Sequence, residues 1–283
     1  MRKYVNDNPG FGLSFLYKTA AGRLILKLLV NNKYISVIVG WFMNQKISCL
    51  FIKRFIKNNN IDMTEYVSKK YTSFNDFFTR KILPDKRPII KDENIFTSCA
   101  DSYLTCYRIN DDLLINIKNS NYSIKELLKD EKLSRKYKNG FALVFRLTPS
   151  NYHRYHFIDN GKIIKHYRIN GKFHTVNPIC YDKYKVFHEN TRECTLIKTE
   201  NFDEIIYVEV GALLVGRIVN NNDIKSFKKG DCKGYFEFGG STVILLIKKD
   251  IIKLDNDIIR NSLNGFETSV KCNEKIGESV LKK

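Results

Sequence analysis

Short runs of β-branched and aromatic residues alternate with turn residues along most of the chain after residue 88. These runs lack a helical period and are typical of strands. The dipeptides Asn139-Gly140, Asn160-Gly161 and Asn170-Gly171, which suit tight hairpin turns, separate several of them. The predicted strands cover residues 103–109, 113–117, 141–147, 163–167, 205–210, 213–219 and 242–247. One short helix is predicted near residues 123–129, so this part of the chain is expected to form a mainly β domain.

The first 60 residues show a different pattern, in which lysine and arginine interrupt the apolar positions. A membrane-spanning helix needs about 20 apolar residues with almost no charge, and neither residues 11–30 nor residues 34–55 meet that requirement. No small-residue cleavage site follows, so a signal peptide is not expected. The pattern predicts cationic amphipathic helices that lie on an anionic membrane surface. Helices packed on the protein's own core would show the same pattern, and the two interpretations are compatible.

Residues 81–88 form a linker punctuated by two prolines, and we place a domain boundary there. The predicted fold class is α+β, with a helical, basic and apolar membrane-associating region over residues 1–85 and a mainly β domain over residues 86–283. Ser73 or Asn75 is expected to cap a helix shortly before this boundary. The 283 residues are 43% hydrophobic, which is enough for a sizeable core.

The chain carries 48 lysine and arginine residues against 30 acidic ones, a formal net charge of +18. This balance favours anionic partners, either an acidic membrane surface or nucleic acid. The seven cysteines are odd in number and form no C-x-x-C pair, which indicates reduced thiols in a cytosolic setting rather than a disulfide framework or a zinc site. The sequence contains no G-x-G-x-x-G, P-loop or H-E-x-x-H motif.

The predicted strand over residues 242–247 begins directly after the sequence Gly-Gly-Ser. Gly239 and Gly240 let the backbone adopt a positive φ or a strained geometry at the peptide bond before Ser241. A hydroxyl next to a distorted peptide can attack the carbonyl of the preceding residue, so Ser241 is a candidate for chemistry on the chain itself. The alternative is a β-bulge whose hydroxyl forms only local hydrogen bonds.

Two of the five histidines, His153 and His156, lie close together in residues 147–157. Pro149 and Asn151 place them on a loop or at the start of a strand, where functional side chains are often presented. A metal pair is one alternative, although no carboxylate or thiolate at ligand spacing accompanies the histidines. A basic and aromatic loop that contacts RNA is another.

The run Tyr152-His153-Arg154-Tyr155-His156, followed far downstream by Gly240-Ser241-Thr242, resembles the phosphatidylserine decarboxylase family of pyruvoyl-dependent membrane enzymes. Further similarities extend from about residue 74 to the C-terminus, namely residues 74–80, Ala100-Asp101, Val176-Asn177, the Asn190-x-Arg192 pair, residues 210–212, 215–216 and 229–230, and Glu267-Thr268.

Some positions depart from the family pattern. Cys99-Ala100-Asp101-Ser102 replaces the more common Pro-x-Asp-Gly, Gly239 stands where many members have leucine, and Thr191 replaces an acid. These departures affect local turns and remove no catalytic group.

The resemblance implies a self-processing catalytic domain. Asp101 would orient His156, and His156 would deprotonate Ser241, whose oxygen attacks the Gly240 carbonyl. Cleavage would leave a β chain of residues 1–240 and an α chain of residues 241–283 that begins with a pyruvoyl group made from Ser241. This cofactor would form a Schiff base with phosphatidylserine and accept electrons as CO2 leaves, which gives phosphatidylethanolamine. His153 is the expected proton donor, and no metal is expected.

Further expectations concern the substrate and the partners. Arg154 or Arg192 would hold an anionic group of the lipid or, equally, form a structural ion pair. His174 and Asn177 are expected to line the site. The expected partners are phosphatidylserine in anionic membranes, the α and β chains of one proenzyme and a second αβ unit in a homodimer, with no nucleic acid. The expected location is the cytoplasmic face of the cell membrane, as a peripheral protein.

Two other functions stay open from the residues alone. A Ser-His-Asp hydrolase could use Ser241 as a nucleophile without cleavage, but Thr242-Val243 follows Ser241 and no G-x-S-x-G elbow is present. A non-enzymatic basic protein that binds membranes or RNA would account for the charge. It would leave His153, His156 and Ser241 unexplained.

Overall fold

A computed structural model of the chain describes residues 2–5, 11–19, 21–22, 24, 26, 33–117, 120–172, 174–177, 184–212, 217–221, 224–239 and 241–281. Strands are the main elements, and the named strands pair antiparallel throughout. They are β1 (Tyr4–Val5), β2 (Ile95–Thr97), β3 (Ser102–Arg108), β4 (Leu114–Ile117), β5 (Ser120–Ser123), β6 (Phe141–Leu147), β7 (Arg154–His156), β8 (Gly161–Ile169), β9 (Arg192–Thr199), β10 (Glu204–Gly211), β11 (Ile218–Asn220), β12 (Ser226–Phe227), β13 (Cys232–Phe236), β14 (Ser241–Ile247), β15 (Ile252–Leu254), β16 (Glu267–Val270) and β17 (Lys275–Ser279).

The helices are short and lie around the sheets. They are α1 (Phe11–Lys18), α2 (Lys33–Met43), α3 (Ile52–Asn58), α4 (Phe74–Phe78), α5 (Ile124–Leu128), α6 (Glu131–Arg135), α7 (Val186–Glu189) and α8 (Asn256–Leu263), with 3₁₀ turns at Lys46–Phe51, Met63–Glu65 and Pro84–Lys86. Ser73, one of the two predicted caps, accepts a hydrogen bond from the backbone N–H of Asp76 at the start of α4. The fold is therefore a mixture of helix and strand in which sheet predominates, as the sequence predicted.

The largest sheet among the described residues has nine strands in the order β1-β16-β3-β6-β14-β10-β9-β8-β12. Strand β14 lies near its centre, where it pairs with β6 on one side and β10 on the other. All seven residues of β14 are buried. A strand covered on both faces reads as a continuous apolar run, which is why the sequence after Thr242 lacks alternation.

A small sheet, β11-β13-β7, lies beside the large one and leads the chain into β14. A β-bulge interrupts the pairing of β13 with β7 at Lys233, between Cys232 and Gly234. The Lys233 ammonium lies 2.8 Å from Glu209 Oε1 in β10, and neither side chain is more than 3% exposed. Because a bulge turns one side chain out of the regular alternation, it directs Lys233 toward the large sheet. This buried ion pair joins the two sheets.

The observed strands differ from the predicted ones at several places, and β13, β16 and β17 are among the observed strands that were not predicted. The strand predicted over residues 213–219 is observed only as β11, and residues 213–216 lie outside the described part of the chain. Strand β9, Arg-Glu-Cys-Thr-Leu-Ile-Lys-Thr, was not predicted. Its charged residues are typical of a surface segment. Arg192 and Glu193 are nevertheless both buried, and hydrogen-bonding or charged partners make their burial possible.

The N-terminal residues contact the β domain at several points. Strand β1 pairs with β16 at the edge of the large sheet, and Arg2 forms ion pairs with three acidic residues, Asp255, Asp257 and Glu274. Tyr17 is buried in the main core. These contacts cross the boundary predicted near residue 85, and the division into two domains stays a prediction. Within the described ranges, no helix has the length and apolar character needed to cross a bilayer.

Candidate active site

Ser241 is the first residue of β14, and two neighbouring strands fix its position. It lies opposite Leu147 at the end of β6 and opposite Gly211 at the end of β10. The side chain is fully buried, and its Oγ has no hydrogen-bond partner among the described residues. The local hydrogen bond that a purely structural β-bulge would provide is therefore not seen. A buried hydroxyl without a partner is costly, and a role in the chemistry of the site is one explanation for keeping it.

The backbone just before Ser241 is held in an unusual conformation. Gly239 has a φ of +138°, a value that favours glycine. The backbone N–H of Phe238 donates a 2.9 Å hydrogen bond to Asn75 Oδ1 in α4, and the Asn75 amide in turn donates to Asn44. Gly240, the other residue of the predicted cleavage site, lies outside the described residues. The backbone that precedes Ser241 is thus held in place by a side chain of α4.

His153 follows the loop that connects β6 to β7. The side chain of Asn151 closes this loop by accepting hydrogen bonds from the backbone N–H and the hydroxyl of Thr148, each 2.7 Å long. His153 Nδ1 lies 2.9 Å from the Asn151 carbonyl oxygen. Because a carbonyl only accepts, Nδ1 carries the proton and Nε2 holds a lone pair. Nε2 is buried and has no partner in the described part of the chain.

The surroundings of His153 favour its neutral form. The imidazole is fully buried and packs on the ring of Phe78, with 3.9 Å between ring centroids. Burial and, to a smaller extent, the nearby charge of Arg80 together lower the pKa of His153 to about 3. His153 is therefore a neutral imidazole at physiological pH, with an unprotonated Nε2.

His156 has the same arrangement of ring nitrogens. Its Nδ1 lies 2.9 Å from the carbonyl oxygen of Gly230, so Nδ1 is the protonated nitrogen, and its buried Nε2 has no partner among the residues described. Burial lowers the pKa of His156, whereas the Gly230 hydrogen bond and the charge of Asp101 oppose that shift. Each histidine thus presents an unprotonated Nε2, and in each a backbone carbonyl fixes the tautomer through Nδ1.

Asp101 is anchored by an arginine rather than by a histidine. Arg87 donates two hydrogen bonds to its carboxylate, of 2.8 and 2.5 Å, and the backbone N–H of Cys272 donates a third of 2.8 Å. The expected hydrogen bond from His156 to Asp101 is not among the described contacts, because the Gly230 carbonyl takes Nδ1. The two residues are nonetheless close, since the His156 backbone N–H donates to the carbonyl of Cys99, two residues before Asp101.

The comparison with known proteins covers the same segments as the site. The family model described as phosphatidylserine decarboxylase matches residues 74–278, more than half of the chain. The chain belongs to the phosphatidylserine decarboxylase family. A Clostridium acetobutylicum protein named phosphatidylserine decarboxylase proenzyme 2 is 55% identical over 267 residues, which cover 94% of this chain and 91% of that protein. Phosphatidylserine decarboxylase proenzymes of Clostridium tetani (44% identity, 91% of this chain and 89% of theirs) and of the Alaska E43 strain of Clostridium botulinum (41%, 99% and 97%) are also similar.

The two arginines that were expected to hold an anionic group of the phosphatidylserine decarboxylase substrate both have structural contacts. The Arg154 Nε donates to the Thr79 carbonyl at 3.0 Å, and its guanidinium lies over the Tyr235 ring. Arg192 is fully buried, and its guanidinium donates to four backbone carbonyls, those of Glu126, Leu127, His188 and Asn190. For Arg192 the structural alternative is therefore favoured, with backbone carbonyls in place of an ion-pair partner.

His174 is connected to the end of β14 through Asn190. The Asn190 side chain hydrogen-bonds the backbone N–H and carbonyl of His174 and also the carbonyl of Gly211, the residue opposite Ser241. The His174 ring is buried and stacks on Tyr184 at 4.3 Å. Asn177 is partly exposed, and its backbone N–H donates to Thr175. The structure thus places the backbone of His174 beside the end of β10 that faces Ser241.

Besides Arg87, three residues that contribute to the site were not assigned a role in it from the sequence. Gly230 fixes the tautomer of His156, Asn75 anchors Phe238, and Arg80 lies buried beside His153. Asn75 and Arg80 belong to the segment over residues 74–80 that carried the family resemblance, so its polar positions were a usable signal. Gly230 contributes only a carbonyl, which no side-chain pattern can indicate. Across the described residues, no group of three His, Cys, Asp or Glu side chains could hold a metal ion.

Proposed function

We propose that the chain is a phosphatidylserine decarboxylase proenzyme that cleaves itself between Gly240 and Ser241 and then converts phosphatidylserine to phosphatidylethanolamine and CO2. The observation that carries this proposal is the buried Ser241 Oγ, which has no partner among the described residues and begins the central strand directly after two glycines. The names of the relatives, which are proenzymes of this activity, support it.

In the proposed cleavage, Ser241 Oγ attacks the Gly240 carbonyl carbon, and its proton passes to His156 Nε2. The C–N bond breaks and an ester replaces the peptide. Elimination then releases the Gly240 carboxylate and leaves dehydroalanine at residue 241, and water converts this residue to a pyruvoyl group with release of ammonia. The neutral form of His156 supports its role as the base. Asp101 contributes its negative charge, which favours the imidazolium formed during the step.

The residues around Ser241 suit the pyruvoyl group that this cleavage would form. The end of β14, held between β6 and β10, would keep the group in place. When present, it supplies a carbonyl that accepts the electron pair left behind as CO2 leaves. His153, whose Nε2 carries a lone pair, is proposed to take up a proton there from the substrate ammonium and then to deliver it to the α-carbon of the substrate. Phe78, packed on the imidazole, would exclude water from that transfer.

The N-terminal helices support a peripheral position on anionic membranes. Large apolar side chains are exposed on adjacent elements, with Trp41 64% exposed and Leu50 78% exposed, and Lys46, Lys53 and Arg54 beside them are also exposed. Apolar insertion with basic residues around it is the usual pattern for an interfacial anchor. The cytoplasmic face of the cell membrane and the homodimer of αβ units stay predictions from the family resemblance.

Denaturing mass spectrometry of the purified protein tests the proposal. The expected result is two chains, residues 1–240 and residues 241–283, the second blocked by a pyruvoyl group. Ser241→Ala should give one uncleaved chain that releases no CO2 from phosphatidylserine. An uncut wild-type chain with esterase activity would support the hydrolase alternative instead, and two normal chains from Ser241→Ala would show that a protease makes the cut.

A further inference from the structure

Arg80 is a buried cation for which the described residues provide no anion. The residue follows α4 and is 2% exposed. No aspartate or glutamate in the described part of the chain forms an ion pair with it, although many other arginines have one. A buried charge is normally paired, because taking it out of water without a partner is costly.

The contacts of Arg80 use only part of its guanidinium. Nη2 lies 3.2 Å from the Tyr66 hydroxyl and 3.3 and 3.4 Å from the carbonyl oxygens of Ser150 and Asn151. The guanidinium also lies over the rings of Tyr66 and Phe77. Nε and Nη1 are buried and have no acceptor among the described residues. Nε carries one N–H and Nη1 carries two, so three strong donors lack an acceptor among the described residues.

The position of Arg80 places any such acceptor beside the candidate active site. The Asn151 carbonyl receives both Arg80 Nη2 and His153 Nδ1, so the guanidinium and the imidazole are joined through one oxygen atom. The charge of Arg80 also acts on His153. An anion bound by Arg80 would therefore lie beside His153, the proposed proton donor.

We propose that Arg80 binds the phosphodiester of the lipid headgroup, an inference that rests on the function proposed above. A guanidinium matches the geometry of a phosphate, and three free donors suit its oxygens. The carboxylate of the substrate is the less suitable ligand, because its charge departs with CO2. A contact with that carboxylate would stabilise the bound substrate more than the transition state and would slow the reaction.

The test uses Arg80→Gln and Arg80→Lys, with Arg135→Gln as the control for loss of one positive charge, since the Arg135 side chain is 72% exposed. Turnover is measured on a soluble short-chain phosphatidylserine, and inhibition is measured with glycerophosphoethanolamine, which has the phosphodiester but no carboxylate. For Arg80→Gln we expect KM and the inhibition constant to rise together by about tenfold or more, with kcat changed less than threefold. Arg80→Lys should lie in between, and Arg135→Gln should match the wild type.

Other outcomes would overturn the assignment. A fall in kcat/KM with unchanged inhibition by glycerophosphoethanolamine would place the carboxylate, not the phosphodiester, on Arg80. If inorganic phosphate inhibited as strongly as glycerophosphoethanolamine, Arg80 would instead belong to a site for free phosphate. Calorimetric binding of glycerophosphoethanolamine to wild type and Arg80→Lys needs no turnover, so it decides the matter even if no CO2 is released or Arg80→Gln does not fold. If wild type and Arg80→Lys bound glycerophosphoethanolamine with equal affinity, or if the wild type did not bind it, the assignment of Arg80 to the phosphodiester would be refuted.

Discussion

Acid should destabilise the folded chain through His153 in an amount that the structure allows us to calculate. In the unfolded chain the histidine titrates near its ordinary pKa of 6.5, whereas burial holds the pKa of the folded residue at about 3. The unfolded state therefore binds the proton first as the pH falls. The stabilisation from the neutral buried ring is present above pH 6.5 and is lost progressively between pH 6.5 and pH 3.

The difference in pKa corresponds to about 5 kcal/mol over the whole interval, at about 1.4 kcal/mol per pH unit. Between pH 7 and pH 5 the calculated loss in the free energy of unfolding from this residue alone is about 2 kcal/mol. Other buried histidines and the carboxylates also titrate, so the total loss contains further contributions. A comparison of two proteins that differ only at His153 isolates the contribution of this ring.

The assay is urea unfolding at pH 7 and pH 5 of Ser241→Ala, which stays one species, and of the same chain with His153→Asn. Asparagine keeps a donor for the Asn151 carbonyl but cannot be protonated. We expect the His153→Asn chain to be less stable at pH 7, because it leaves a cavity against Phe78, yet to lose about 2 kcal/mol less on acidification. Equal losses in the two chains, within about 0.5 kcal/mol, would refute the argument that the His153 ring is kept neutral by burial.

Three further predictions follow from the site and the membrane-facing helices. His156→Ala should accumulate the uncleaved chain, whereas His153→Ala should cleave and lose most turnover. Gel mobility measures cleavage and CO2 release measures turnover. The opposite result would assign cleavage to His153 and proton donation to His156. Asn75→Ala should slow cleavage and cost about 1–3 kcal/mol in urea unfolding because the Phe238 N–H loses its acceptor, while Asn75→Asp, which keeps that acceptor but loses the hydrogen bond to Asn44, should cleave faster than Asn75→Ala. Trp41→Ser with Leu50→Ser should weaken sedimentation with anionic vesicles at least about tenfold at high salt, and an unchanged bound fraction would exclude this surface as the anchor.

The parts of the fold that the sequence predicted well are those where burial alone decides the pattern. Strand β6 was predicted with its observed bounds, and β14 to within one residue, because both are continuous apolar runs in the middle of the sheet. Strand β9 was missed because its buried charges are matched by partners far away in sequence, as when Arg168 pairs with Glu193. A single sequence shows that a residue is charged but not where its partner lies.

The site shows the same limit. The sequence singled out Ser241, His153 and His156 through their spacing and the family resemblance, and the pairing of β7 with β13 places the segment that carries the two histidines beside the segment that precedes Ser241. The partner of Asp101 was assigned as a histidine from the usual logic of a triad. The observed partner is Arg87, which lies in the proline-rich segment that the sequence indicated as a linker. Backbone acceptors such as the Gly230 carbonyl depend on tertiary structure and leave no signature in the side chains.

The central position of β14 determines what a cut before Ser241 would produce. The C-terminal piece, residues 241–283, would take with it a middle strand of the large sheet, the edge-side strand β16 and the partners of Arg2. Neither piece could leave without unzipping β14 from β6 and β10 together and exposing its buried side chains to water. The two chains would therefore behave as a single folding unit, unable to exchange with those of another molecule, and separately synthesised halves should not reassemble by simple docking.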